Sequence, residues 1–184
     1  MSTHHKSDSD LKLELQHIEA AKDNPARFAV LYDAYYKPVF VFIYRRTNDE
    51  EICADICSQV FLKALINIKK YEFKGVPFSA WLFRIAFNEV NMYFRKHKGD
   101  RIVSVDQKGV LLIAQETELN DNAEILQKMM SSLKKLAAAD VHLIELRFFE
   151  KLSFAEIGII IGITENNAKV KVYRIIDKLK KLMS

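Results

Sequence analysis

Residues 79–96, SAWLFRIAFNEVNMYFRK, run without a glycine or a proline. Wound as a helix of about 3.6 residues per turn, the segment is apolar over most of its circumference. Trp81, Leu82, Ile85, Ala86 and Met92 fill one sector, and Phe83, Phe87, Val90 and Phe94 fill the next. A helix so apolar must be covered on more than one side, which demands a bundle of other elements around it. One polar stripe is left over: Arg84, Asn88, Asn91 and Arg95, spaced four, three and four residues apart, with no carboxylate among them. Exposed helix edges usually mix acids and bases, so two guanidiniums and two carboxamides in line point toward an anionic ligand.

The rest of the chain can supply that bundle. It has 184 residues, 49% of them hydrophobic, enough for a sizeable core. Five glycines, three prolines and the absence of an alternating apolar/polar run predict an all-α fold. The pattern divides into a polar N-terminal tail (1–24), a first helical domain (25–98), a linker (99–122) and a second helical domain (123–184). In the first domain, helix restarts at Pro38, which suits a first helical turn. Asn48 caps the next helix, with Asp49, Glu50 and Glu51 in its first turn and Ile52, Ile56, Val60, Ala64 and Ile68 on its buried side. The Gly75 and Pro77 pair in YEFKGVP marks a loop before the opening helix. Residues 99–122 lose periodicity, are acidic and hold one short apolar patch, VLLIA, that can dock elsewhere.

In the second domain Val141, Ile144 and Phe148 mark one helix face. Ser153 and Glu156 form a capping box at the start of a short helix that stops at Gly162, and Thr164 caps the last helix. There Ala168, Val172, Ile175, Ile176, Leu179 and Met183 share one side. Asn167, Lys171, Arg174, Lys178 and Lys181 share the other. A capped short helix, a glycine turn and a basic amphipathic helix outline a helix-turn-helix, which sets the start of its second helix in the DNA major groove. Thr164, Glu165, Asn166 and Asn167 stand at that tip, with Lys169, Lys171, Arg174 and Lys178 behind them to bond bases or phosphates. At the other candidate site, the loop around Lys74 and Gly75, with Phe78, can receive an unstacked base while the Arg84–Asn88–Asn91–Arg95 stripe follows the phosphates. Trp81, on the apolar side, belongs to the core. The acid-rich start around Asp49, Glu50, Glu51 and Asp55 repels DNA and suits a basic protein surface or water.

Enzyme chemistry has little to stand on. There is no phosphate loop, no dinucleotide glycine turn and no His-x-x-x-His pair backed by a carboxylate, and the five histidines are scattered. Cys53 and Cys57 lie four apart with no further ligands nearby, so they read as buried reduced thiols of a cytoplasmic protein; no metal and no cofactor is expected. No signal peptide and no apolar run of membrane length is visible, so no membrane insertion is expected.

Taken together these residues resemble the extracytoplasmic-function (ECF) group of bacterial RNA polymerase sigma factors. FAVLYDAYYKPVFVFIYRR, ADICSQVFLKAL and FSAWLFRIAFNEVNMYFRK are similar to that family's second region, whose Phe-x-x-Trp-Leu-x-x-Ile-Ala-x-Asn pattern is met by Phe78, Trp81, Leu82, Ile85, Ala86 and Asn88. LRFFEKLSFAEIGIIIGITENNAKVKVYRIIDKL is similar to its fourth region. The likeness covers residues 27–97 and 123–182. Departures occur in the second helix, where Asp55, Ile56, Ser58, Gln59 and Phe61 stand in for Asp-Leu-x-Gln-Glu-x-Phe. They also occur in the last helix, where Asn166, Asn167, Ala168, Lys169, Val170 and Lys171 replace Gly-Thr-Val-Lys-Ser-Arg. Lys171 there lacks the bidentate fork of arginine.

The resemblance implies a factor, not an enzyme, that directs polymerase core to promoters. Lys74, Gly75, Phe78, Arg84, Asn88, Asn91 and Arg95 would bind and help open the −10 element. The helix from Thr164 to Lys178 would read the −35 element. Asp55, Gln59, Phe61 and Lys63 would bind the clamp helices of the polymerase largest subunit, with the flap region as a further contact. An anti-sigma factor, common in that family, would cover these surfaces. The alternative reading is a helix-turn-helix regulator that acts without polymerase; it leaves the stripe on 79–96 without a purpose. A helical interaction protein that binds no nucleic acid is the third.

Overall fold

A computed structural model describes residues 7–97, 107–116 and 123–183. Every regular element among them is helical, and they form two compact units that divide between Ile102 and Val103.

The first unit begins with α1 (Asp8–Asp23), in the segment expected as tail. Ser7 and Asp10 close a capping box at its start, and Glu14, Ile18 and Ala21 are its buried residues. A 3-10 turn, Pro25–Phe28, leads into α2 (Ala29–Thr47). The expected restart at Pro38 does not occur, because α2 runs through it. The missing Pro38 N–H orphans only the carbonyl of Ala34, a residue exposed to water, while buried Val39, Phe42 and Ile43 hold the following turns against the core. Asn48 also differs from expectation. It ends α2 in the left-handed conformation (φ 50°, ψ 31°), its N–H donating to the Tyr44 carbonyl at 2.8 Å. Asp49 is the cap of α3 (Glu50–Asn67), its carboxylate accepting the Ile52 N–H at 2.9 Å.

A 3-10 turn, Ile68–Lys70, and an irregular loop over 71–77 precede α4 (Phe78–His97). Helices α2, α3 and α4 pack on one another around Phe42, Ile43, Cys57, Val60, Leu82 and Phe83. Phe42 and Phe83 stack with ring centroids 4.7 Å apart. Truncating either ring would remove about 3–5 kcal/mol of packing.

In the second unit α5 (Gln107–Glu116) lies within the stretch expected as linker, and buries Val110, Ile113 and Ala114, the apolar patch of that stretch. It packs against α6 (Ala123–Leu133) and against the wide π turn Glu145–Phe149 that continues α7 (Ala138–Ile144). Helix α8 (Phe154–Ile161) starts in the expected capping box. The Ser153 N–H donates to Glu156 Oε2 at 2.8 Å, and the Glu156 N–H donates back to Ser153 Oγ at 3.2 Å. It ends at Gly162 (φ 76°), and α9 (Glu165–Met183) follows, with Thr164 Oγ1 accepting the Asn167 N–H at 3.2 Å. The turn is tight: a Cβ on Gly158 would stand 2.7 Å from the Ile163 carbonyl oxygen, so only glycine fits without a shift. Ala168, Val172, Ile175, Ile176 and Leu179 bury one face of α9 against the rest of the unit.

Candidate nucleic-acid interface

On α4 the polar stripe faces water along its whole length: Arg84, Asn88, Asn91 and Arg95 are all exposed, while Leu82, Phe83, Ala86 and Val90 are buried. From Arg84 to Arg95 the ridge spans about 16 Å. The one carboxylate on α4, Glu89, is turned inward and receives Lys63 Nζ at 2.6 Å. That pairing removes an acid from the surface beside the ridge and ties α3 to α4.

The loop feeding α4 turns at Gly75 (φ +74°), in the left-handed region that a glycine enters without strain. Lys74 and Gly75 are exposed, and Val76 anchors the loop inward. Phe78 does not belong to this surface. Its side chain is fully buried, ringed by Tyr35, Tyr71 and Trp81 at centroid distances of 5.8, 5.0 and 5.2 Å. An aromatic at the first position of a helix that starts inside the core packs before it can stack on a base. Phe73, 42% exposed, is the aromatic that the loop presents to solvent. Trp81 is only partly buried, so it caps the core at the loop base.

The α9 residues Glu165, Asn166, Asn167, Lys169, Lys171, Arg174 and Lys178, and Thr164 before them, are exposed. Lys178 is engaged within the fold, its Nζ 3.0 Å from Asp140 Oδ2 on α7. This leaves the start and middle of α9 as the cationic surface presented to solvent. Tyr173, 40% exposed, tilts against Phe154 with centroids 6.1 Å apart, and Arg147 covers the other ring at 4.6 Å.

On α3, Asp55 and Gln59 are exposed, whereas Phe61 is 4% exposed and packs edge-on to Phe28 and Tyr32. Phe61 shapes the helix from inside and has no ring face to offer a partner. The residues that continue the Asp55–Gln59 line outward are apolar: Leu62 is 57% and Ile66 67% exposed. The expected surface sets Phe61 and Lys63 beside Asp55 and Gln59 and not these two, because an exposed leucine or isoleucine among core positions carries no local sign of its exposure.

Cys53 and Cys57 are buried free thiols, and Cys53 Sγ donates to the Phe40 carbonyl at 3.2 Å. Burial pushes their pKa values up, to about 12 and about 11. Among the described residues no cluster of three metal-capable side chains occurs, and no helix is long and apolar enough to cross a membrane.

Comparison with known proteins agrees with this geometry. Residues 31–99 match the sigma-70 region 2 family and residues 132–181 match sigma-70 region 4. The chain is 30% identical over 183 residues to the ECF RNA polymerase sigma factor BldN of Streptomyces coelicolor, covering 96% of this chain and 68% of that one. It is 28% identical over 152 residues to the ECF RNA polymerase sigma factor SigM of Bacillus subtilis, covering 83% and 92%. Its fold is similar to that of CnrH, solved in complex with the cytosolic domain of CnrY, with a TM-score of 0.58 and 21% identity over 95% of this chain and 97% of that one. Both matched regions occur in order, one in each compact unit, and the chain therefore belongs to the ECF-type RNA polymerase sigma factors, which direct polymerase to promoters and are not enzymes.

Proposed function

We propose that this sigma factor divides promoter recognition between its two units, opening the −10 element with α4 and its leading loop and reading the −35 element as duplex with α9. The carrying observation is the α4 ridge: four cationic or amide side chains exposed in line on a helix whose opposite side, at Leu82, Phe83, Ala86 and Val90, is buried. Arginines and carboxamides on a rigid helix can bond phosphates and base edges of a separated strand without reading duplex shape. Asn88 and the loop at Lys74 and Gly75 would hold an extruded base, with the exposed ring of Phe73 offering a face to stack on. Asp55, Gln59, Leu62 and Ile66 would form the polymerase-facing surface of α3, with apolar centre and polar edge, suited to the clamp helices of the largest subunit. Lys63 supports that surface through Glu89. Region 4 would dock near the flap.

The factor would act in the cytoplasm, where the two thiols stay reduced. An anti-sigma factor would compete for the same exposed α3 and α4 surfaces.

Reconstitution tests this reading. Core polymerase plus this protein should initiate from the host's ECF-type promoters and co-purify as holoenzyme. Operator binding by the free protein, with no gain on adding core, would contradict it.

A further inference from the structure

The N-terminal helix lies outside both matched regions, yet it places a carboxylate at the root of the −10 loop. Glu14 is buried on α1. Its Oε2 accepts the backbone N–H of Phe78, the first residue of α4, at 3.0 Å, and its Oε1 accepts the Tyr35 hydroxyl. A carboxylate on the first turn of a helix also meets the positive end of the helix dipole. Tyr71, which opens the loop, packs its ring edge-on to Phe78 with centroids 5.0 Å apart; burial, and after it the negative charge of Glu14, holds its phenol above the usual range. Helix α1 packs in addition against the Ile68–Lys70 turn just before the loop. Both stems of the 71–77 loop are therefore braced from one helix, while Phe73, Lys74 and Gly75 stay free to face a ligand.

We propose that Glu14 is a positioning residue for promoter opening: it fixes where the loop leaves the core and where α4 begins, and so sets the pocket that receives the extruded −10 base. This rests on the assignment of that loop and ridge to the −10 strand. The geometry gives a reason for a buried acid on α1. A charge enclosed by protein is costly unless several donors meet it, and here the donors come from α2 and from the first residue of α4.

The test uses holoenzyme assembled from core and full-length protein, with single-stranded −10 non-template oligonucleotides carrying either the preferred base or a substitute at the extruded position. Glu14→Ala should lower the ratio between the two affinities at least about fivefold, with core affinity unchanged. Glu14→Gln, which keeps an acceptor for the Phe78 N–H, should restore most of that ratio. A Glu14→Ala holoenzyme with the ratio intact, or one that loses both oligonucleotides equally, overturns the proposal. Should Glu14→Ala fail to bind core, Tyr35→Phe decides, because it removes one donor to Glu14 and leaves the packing; an unchanged ratio there overturns the proposal too. Asn88→Ala serves as the control for the underlying assignment. If Asn88→Ala leaves both affinities unchanged, the −10 assignment itself fails; if it lowers them and Glu14→Ala does not lower the ratio, only the role of Glu14 fails.

Discussion

Asn48 turns the chain from α2 into α3 with a positive φ of 50°, a conformation in which a Cβ crowds the following carbonyl and which asparagine tolerates better than most residues. Asn48→Ala should cost about 1 kcal/mol, and Asn48→Gly should cost nothing or stabilise slightly. Urea unfolding followed by the fluorescence of Trp81, the single tryptophan, reports on this unit directly. The buried thiols make a second prediction. Because folding raises the pKa of Cys53 and Cys57 to about 12 and about 11, the unfolded chain loses these protons first as pH climbs. Stability from this source is complete below the ordinary thiol value and declines from about pH 9 upward. At neutral pH both thiols should resist alkylation by iodoacetamide in the native protein and react only after urea is added, a difference that mass spectrometry reads. Fast native alkylation would mean that the α2–α3 packing opens readily.

At the scale of the element, α3 carries the most specific claim. Leu62 and Ile66 stand in line with Asp55 and Gln59 and touch little of the core, so charge on them should be neutral for folding. Leu62→Asp and Ile66→Asp are expected to weaken core binding at least about tenfold while shifting unfolding by less than about 0.5 kcal/mol. Competition for core against a labelled sigma factor measures the first, and Trp81 fluorescence the second.

The helix-turn-helix was legible because its signals are local: Ser153 with Glu156, the stop at Gly162 and the Thr164 cap each act within four residues. The exposed ridge of α4 was legible because polar residues at helical spacing on an apolar helix have only one side to occupy. Phe61 and Phe78 were misplaced because an aromatic in a motif can serve packing or contact, and only tertiary neighbours decide. Helix α1 escaped notice since few of its residues are buried, and the one that ties it to α4 is an acid. Pro38 depends on context in the same way, since whether a proline breaks a helix turns on whether water can reach the orphaned carbonyl; at Asn48 and Asp49 two adjacent residues can each cap, and the backbone gives the cap of α3 to Asp49 and the end of α2 to Asn48.

Across the whole molecule, the two surfaces proposed for promoter DNA lie on separate units. Each offers a handful of cationic and amide contacts, too few for tight binding at physiological salt. Polymerase, by fixing both units at once, would turn the second contact into an intramolecular one and raise the combined affinity without new bonds. The central claim is that the α4 ridge holds separated −10 DNA once core is bound. The most direct measurement is the affinity of holoenzyme for a single-stranded −10 non-template oligonucleotide, compared between the natural protein and Arg84→Ala combined with Asn88→Ala. The expected result is a loss of at least about tenfold with core affinity unchanged. Equal oligonucleotide binding by the two holoenzymes would contradict the account.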